Sequence, residues 1–420
     1  MKIAAVICEL NPFHNGHAYL FRKLREEHRA DYIIALMSGN YVQRGEPACM
    51  DKYVRTRMAL GPGSSSVSDS AAESAGAYCD LVLQIPTVFA SASAEDFAAA
   101  GIALANACGC IDLLGFGIEA PATLSSLREN ARKLLSVNTE SFADDPSSSP
   151  SIRKMLDTGI TYPAALSEVL GLTDYTPNNI LATEYLRAML ESGSKITPAP
   201  VYRLGEAYHS TILPESYCAS ATALRNLLAG GDQEAADSSD GRLAPYVPEW
   251  TLPIYKENSP YTMTADSISL LLSAQLLKAG DLSLFADVSN EIANRLARRS
   301  ALPMSFTARV HDTKTRQYTY TRISRALLHI ALGITKKETE AQKKNGYVSA
   351  LRILGFRKDA SPLLSLLKKS ALLPIVSKTA DAGPLLEREL YFDHLYLAAL
   401  AQSFPQAAVR SEYEQSPVII

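Results

Sequence analysis

The chain has 420 residues, 47% of them hydrophobic and 20% charged, which describes a globular protein too long for one ordinary core. Its net charge of −3 excludes an extreme polycation or acidic tail-like chain but conceals an asymmetry. Between Arg295 and Lys344 twelve Lys/Arg face only Asp312, Glu338 and Glu340, a local +9 that leaves −12 on the remainder, as expected of a protein that binds a polyanion.

Strand and helix signals alternate from the start. Ile3–Cys8 is a continuous apolar run, the pattern of a strand buried on both faces. A turn at Asn11–Gly16 leads into a helix from His17 to about His28. Asp31–Met37 reads as a second strand, and Asp51–Leu60 as a short helix carrying Lys52, Arg55 and Arg57. Asp80–Ile85 is a third strand stopped by Pro86, followed by an Ala-rich helix near Ala94–Cys108. Asp112–Phe116 is a fourth strand, with a helix after it from about Ala122 to Leu135. Such alternation predicts a doubly wound, parallel α/β sheet. Further on come a helix over Asn178–Leu190, a strand over Ile196–Leu204 and a helix over Ser220–Leu228. Gly61–Ser74 and Asn138–Ser151 are Ser-rich and read as surface loops. The polar stretch Gln233–Arg242 divides the chain into an α/β domain, 1–232, and a mainly helical domain, 243–420, with one strand near Val348–Leu354.

Six scattered cysteines without a CxxC pair read as core residues in a reducing compartment, and no metal site is expected. The N-terminal apolar run is too short for a signal segment or a membrane span. A cytoplasmic protein with no membrane partner is expected.

The strongest chemical signal is Asn11-Pro12-Phe13-His14-Asn15-Gly16-His17, directly after a buried strand and directly before a helix. A helix N-terminus presents free N–H groups and a positive dipole end to an anion, and Gly16 permits close backbone approach. His14 and His17, three apart, can reach the same phosphate and stabilise developing charge there. The carboxyl end of the first strand is where open α/β sheets take ligands. A second segment, Ala219-Ser220-Ala221-Thr222-Ala223-Leu224-Arg225, places a Ser/Thr cap and an arginine at another helix start.

The first motif resembles the HxGH signature of adenylyltransferases and class I aminoacyl-tRNA synthetases. The second is similar to their Ser/Thr-x-x-Arg segment, in which Ser220, Thr222 and Arg225 would hold the β- and γ-phosphates of ATP. Together with MSGNYVQRGEPA (Met37–Ala48), DKYVRTRMAL, DLVLQIP, SAEDFAAAG and PNNIL, in this order, they resemble the bacterial tRNA-Met cytidine acetate ligase family. The resemblance spans most of the first 230 residues and resumes in Arg316–Gly333. It implies a Rossmann-like HxGH nucleotidyltransferase domain followed by a helical C-terminal domain. It further implies a ligase that makes acetyl-adenylate from ATP and acetate and acetylates N4 of the wobble cytidine of elongator methionine tRNA, with Mg²⁺ accompanying the nucleotide.

By the same resemblance Ile7, Cys8, Glu9, Leu10, Asn11, Pro12, Phe13, His14, Asn15, Gly16, His17, Ala18, Tyr19 and Leu20 line ATP, with His14 and His17 catalytic. Gly101, Asn178, Asn179 and Arg203 complete the nucleotide site. For Gly101 helix packing, and for Asn178 plain N-capping, are competing readings. The loop Ser38–Pro47, with Gln43 and Arg44, is placed to meet substrate or RNA. Two departures stand out: the long Gly61–Ser74 connection, and Ile118 in Phe116–Glu119 where a small polar residue is expected.

Read as a helix, Gln317–Leu332 puts Ile323, Ala326, Leu327 and Ile330 on one face and Arg322, Arg325 and His329 on another. RNA phosphate contact through Arg316, Arg322 and Arg325 is expected because the section holds few acids, with Tyr318 and Tyr320 available for base stacking. Two other functions share the HxGH core: a small-molecule adenylyltransferase, and a non-catalytic RNA-binding protein on a vestigial nucleotide fold. Pyrophosphate exchange with and without acetate separates the three.

Overall fold

The structure, a computed structural model, describes residues 1–62, 76–136, 155, 160–203, 218–230 and 242–420. The readings of Gly61–Ser74, Asn138–Ser151 and Gln233–Arg242 fall almost wholly outside these residues.

The centre is an eight-stranded sheet. Strand β1 (Ile3–Cys8) lies in the middle, paired in parallel with β2 (Tyr32–Ser38) on one side and β6 (Leu113–Ile118) on the other. The small hairpin β3–β4 (Tyr41–Val42, Glu46–Pro47) follows β2. Outward from β2 comes β5 (Leu81–Ile85), and outward from β6 comes β7 (Thr197–Tyr202), both parallel. The chain therefore builds away from β1 in one direction and returns to build in the other. The reversal opens a crevice at the carboxyl ends of β1 and β6, the place where such sheets bind ligands.

The strand pattern follows from period-two burial. Ile3, Ala5 and Ile7 point into one apolar cluster, whereas Ala4, Val6 and Cys8 point into the opposite one. On the first face lie α3 (Ala94–Cys108) and α5 (Pro177–Glu191). The second face packs α1 (Asn15–Glu26), α2 (Lys52–Ala59) and α6 (Ala221–Ala229). Helix α4 (Leu124–Leu135) follows β6 and packs on α5. Aspartates pin the strand edges: Asp80 accepts from the Ile33 N–H at 2.6 Å and from Arg25 at 2.7 Å, and Asp112 accepts from the Ile3 N–H at 2.8 Å.

The C-terminal region is mainly helical, as its sequence suggests. It includes α7 (Ser269–Lys278), α8 (Tyr320–Leu332), α9 (Lys336–Lys344) and α10 (Glu387–Ser403). The expected division into 1–232 and 243–420 does not part the core, however. Strand β8 (Leu351–Phe356) joins the central sheet antiparallel to β5, and β9 (Ile375–Val376) and β10 (Val418–Ile419) pair with β8. Ile323, Leu327 and Tyr396 share a cluster with Ile7 and Phe97. A strand read in isolation carries no sign of its distant partner, which is why β8 reads as local in the sequence. No helix among the described residues is long and apolar enough to cross a membrane.

Candidate active site

The chain leaves β1 at Cys8 and turns through Asn11-Pro12. The Asn11 carboxamide oxygen accepts from the Cys49 N–H at 2.8 Å, and its buried Nδ2 has no partner among the described residues. Phe13 is fully buried, and its ring lies 5.7 Å from that of His17, stacked. His14 then caps α1 with extended backbone, φ −149° and ψ 174°.

The two histidines form a reciprocal cap. Nδ1 of His14 accepts from the Gly16 N–H at 3.0 Å, and Nδ1 of His17 accepts from the His14 N–H at 3.3 Å. The geometry is that of a Ser-x-x-Glu capping box with imidazoles in both roles. An Nδ1 that accepts carries a lone pair, so the proton of each neutral ring sits on Nε2. The rings lie 3.9 Å apart between centroids. Gly16 is required for this arrangement: a Cβ there would lie 2.8 Å from Cε1 and 3.0 Å from Nδ1 of His14.

Burial holds both rings neutral. The His14 pKa falls well below 6.5 through burial first, then through His17, Arg203 and Arg225. His17 falls to about 3, through burial and then Arg203. The site therefore presents two neutral N–H donors whose tautomers the backbone has already fixed. In ring NMR of the free protein, neither histidine is expected to titrate between pH 5 and 8; a midpoint near 6.5 for either would contradict this electrostatic account.

Helix α6 supplies the facing wall. Ser220 caps it, its hydroxyl accepting from the Ala223 N–H at 3.1 Å. Arg225 reaches back to the motif, donating to the Asn11 carbonyl at 2.8 Å and to the Thr222 hydroxyl at 3.3 Å, with Glu46 at 3.6 Å. Arg203 follows β7, its backbone N–H on the Ile118 carbonyl at 3.0 Å and its stem over Gly117, where a Cβ would lie 3.0 Å from its Cγ. Ser220, Thr222, Arg225 and Arg203 thus converge with His14 and His17. Two guanidiniums beside two neutral imidazoles at a helix N-terminus can grip a polyphosphate and stabilise charge that develops on it.

Other residues expected at the site act differently. Gly101 is buried in α3, where a Cβ would lie 2.5 Å from Cδ1 of Ile7, so close packing of helix on strand accounts for this glycine. Asn179 is fully buried, its Oδ1 accepting from the Glu119 N–H at 2.9 Å and its Nδ2 donating to the carbonyls of Glu119 and Asp174. Asn178 donates to the Glu119 carboxylate, which Thr176 also binds. The asparagine pair therefore shapes the turn after β6. Within Ile7–Leu20, the side chains of Ile7, Cys8, Leu10, Phe13 and Ala18 belong to the core, with Tyr19 and Leu20 packed on it. What much of this run can offer a ligand is backbone.

The loop Ser38–Pro47 is less free than its sequence suggests. Glu9 accepts from the Gln43 N–H at 2.9 Å, and Ser324 of α8 donates to the Gly45 carbonyl at 2.8 Å. A Cβ at Gly45, whose φ is +81°, would overlap the backbone of Ser324 and Arg325. Sequence reasoning also missed Arg55. Fully buried, it donates to the carbonyls of Met50 (2.9 Å), Glu9 (2.6 Å), Ser38 (3.2 Å) and Gly39, clamping the ends of β1 and β2. A helical arginine carries no sequence signature of the carbonyls it will meet.

The basic section is corrected most. Arg322 and Arg325 do not form an open cationic face, because Asp287 binds both, at 2.6 and 3.2 Å. Burial pushes the Asp287 carboxyl up, but Arg322, Arg325 and His329 outweigh it and hold it below the usual range. The balancing acid lies eight residues before Arg295, outside the stretch read as basic. Tyr318 is half-buried and donates to Glu291 at 2.9 Å. Arg316, with Arg298 and Lys314, is exposed and has no ion-pair partner among the described residues.

A parallel sheet with HxGH after its first strand, facing a Ser-capped helix with its arginine, defines a HIGH nucleotidyltransferase. Residues 1–412 match the family model described as HIGH Nucleotidyl Transferase. The tRNA(Met) cytidine acetate ligase of Acetivibrio thermocellus is 30% identical, covering 100% of both chains. That of Clostridium tetani is 32% identical over 90% of each. The crystal structure of Thermotoga maritima TmcAL has a TM-score of 0.81 at 27% identity, covering 100% of both chains. A form of that protein bound with alpha-thio ATP gives 0.79 at 26%, covering 100% of this chain and 99% of that one. The chain belongs to the tRNA(Met) cytidine acetate ligase family.

Proposed function

We propose that this protein activates acetate with ATP as acetyl-adenylate and transfers the acetyl group to N4 of the wobble cytidine of elongator methionine tRNA, in the cytoplasm. The observation that carries the reading is the convergence of two backbone-fixed, neutral histidines with Arg225 and Arg203 at the crevice of the sheet. Acetate attacks the α-phosphorus in line and pyrophosphate leaves. The Nε2–H groups of His14 and His17 donate to the α-phosphate and the bridging oxygen, and Ser220, Thr222 and Arg225 hold the departing pyrophosphate. Gly101, Asn178 and Asn179 support the nucleotide site by packing β1 and shaping the turn after β6. Mg²⁺ would accompany the nucleotide, held mainly by its phosphates with few protein ligands, and would supply neutralisation of the phosphate charge.

In the second step the cytidine N4 attacks the acetyl carbonyl, the C–O bond to AMP breaks, and N4 loses a proton. Digestion of the tRNA and mass analysis of its nucleosides tests the whole sequence. Acetylcytidine is expected only when ATP and acetate are both supplied, and its formation without either contradicts the reading.

Arg225→Ala separates binding from chemistry. If Arg225 grips the leaving phosphates, calorimetry should show ATP weakened at least tenfold while AMP changes little. Equal weakening would assign Arg225 to the Asn11 turn alone.

RNA contact is proposed through Arg316 with the exposed Arg298 and Lys314, and it weakens steeply with salt by counterion release. Arg322 and Arg325 join only if phosphate displaces Asp287. Replacing Arg298 and Arg316 together by Glu should lower tRNA acetylation at least tenfold and leave acetate-dependent pyrophosphate exchange intact. Loss of both activities would place these residues in support of the fold. Exchanging Arg322 and Arg325 for Glu is the poorer test, since it crowds two further carboxylates against Asp287.

A further inference from the structure

The transfer step needs a proton acceptor that the histidines do not supply. Each imidazole is neutral, with its Nδ1 occupied by a backbone N–H and its proton already on Nε2. The exocyclic amine of a cytidine is conjugated with its ring, so N4 is a weak nucleophile until its proton begins to leave. A carboxylate held beside it can take that proton.

Glu9, the first residue after β1, stands where such a group is needed. Successive side chains of a strand point to opposite faces. Ile7 packs in the cluster that holds α3 and α8, and Cys8 in the one that holds α1, α2 and α6. The next step of the alternation turns Glu9 away from the helix of the histidines and toward the C-terminal region. Its hydrogen bond shows the result: Oε1 accepts from the Gln43 N–H of the β3–β4 hairpin at 2.9 Å. That hairpin is held in turn by α8, whose Ser324 donates to the Gly45 carbonyl at 2.8 Å. Two residues beyond Glu9, the Asn11 carbonyl accepts from Arg225 at 2.8 Å. Glu9 therefore lies between the residues that grip phosphate and the helix that Arg316 precedes. Its backbone can border the nucleotide while its side chain serves the acceptor.

The carboxylate is partly exposed, and Oε2 accepts no hydrogen bond among the described residues. Its charged neighbours come from three elements. Arg44 and Glu46 lie on the hairpin, Arg225 reaches over from α6, and Arg55 of α2 donates to the Glu9 carbonyl at 2.6 Å. The adjoining Cys8 thiol is pushed up by burial and stays uncharged. Burial raises the Glu9 pKa, and Arg44 and Arg225 oppose that rise without cancelling it. A carboxylate so placed takes a proton more readily than a free one.

We propose that Glu9 is the base of the transfer step. As N4 attacks the acetyl carbonyl, the C–O bond to AMP breaks and AMP leaves with the oxygen and its electron pair. The Glu9 carboxylate takes the N4 proton and later releases it to water. The inference rests on the acetyl-transfer function proposed above.

Chemically prepared acetyl-adenylate, mixed with an elongator methionine tRNA transcript and excess protein, isolates this step. Glu9→Gln keeps an acceptor for the Gln43 N–H and removes the base. It is expected to slow transfer by roughly a hundredfold or more, the scale of general base catalysis. That loss should exceed any loss in acetate-dependent pyrophosphate exchange by roughly tenfold or more. Wild-type transfer is expected to rise with pH as Glu9 loses its proton, with a midpoint above the ordinary 4.5. Glu9→Asp should keep such a rise at a lower rate, and Glu9→Gln should lose that midpoint. Wild-type transfer rates in Glu9→Gln, equal losses in transfer and exchange, or an unchanged midpoint in Glu9→Gln each overturn the proposal. So does wild-type transfer that is flat between about pH 4 and pH 8, a result that depends on no variant. If the wild-type protein moves no acetyl group to the tRNA at all, the acetyl-transfer function itself falls, and the proposal with it.

Discussion

His17→Ala is expected to lower acetyl-adenylate formation by roughly a hundredfold or more, the cost of losing one preorganised donor to developing charge. Two features of the site make the effect large. The ring is held neutral with its proton on Nε2, so no reorganisation is needed when charge appears on the phosphate. Its Nδ1 also caps the His14 N–H at 3.3 Å, and alanine leaves that donor at the helix start without its partner. His17→Asn preserves a hydrogen-bonding side chain and should recover part of the helix cap but little of the rate. The fold should persist, because His17 sits at the edge of the core while Phe13 remains fully buried beneath it. Wild-type exchange rates in a folded His17→Ala protein would remove this histidine from the chemistry.

The largest stability effect is expected at Asp393. Lys52 and Arg352 meet Asp393 and Glu412 in a network whose side chains are at most 5% exposed. Arg352 reaches Asp393 at 2.9 Å and Glu412 at 2.6 Å, Lys52 binds both acids, and Asn40 donates to Asp393 at 3.0 Å. Two cations against two anions leave no net charge, and the four residues come from α2, β8, α10 and the C-terminal segment. Asp393→Ala leaves one buried cation uncompensated, a defect that costs about 3–5 kcal/mol. Denaturant midpoints measured in matched conditions check it, and a change under about 1 kcal/mol would show that the network relaxes or admits water. Burial raises the Asp393 pKa, but Lys52 and Arg352 outweigh it and hold the carboxyl below its ordinary 3.8. Its contribution is therefore fully present above pH 3.8 and is lost as pH falls through the folded value.

The parts of this molecule that the sequence makes legible are those written locally. β1 announces itself because all six residues are buried on two faces, and α3 because its Ser93 cap and Gly109 stop bracket a helix from Ala94 to Cys108. The histidine motif is legible because strand, turn, glycine and helix start all fall within the first seventeen residues. What escapes is set by partners far along the chain. β8 pairs with β5 across some 270 residues, and Asp287 neutralises arginines 35 and 38 residues away. Arg55 and Lys52 look like the surface of a short basic helix, yet both are fully buried. Their roles depend on carbonyls and carboxylates that only folding brings to them. Gly101 shows the intermediate case: the residue is recognisable, but whether it serves a ligand or a neighbouring strand turns on Ile7, which lies 94 residues earlier.

Acetate-dependent exchange of labelled pyrophosphate into ATP, measured on the purified protein without any tRNA, tests the central claim most directly. In the proposed mechanism, activation of acetate as an adenylate is reversible and needs only the crevice that His14, His17, Ser220 and Arg225 surround. The account predicts exchange that requires acetate, persists without RNA and collapses in His17→Ala. Exchange that ignores acetate, or that appears only when a phosphate ester such as a nicotinate nucleotide replaces it, would contradict the account and assign the site to a small-molecule nucleotidyltransferase.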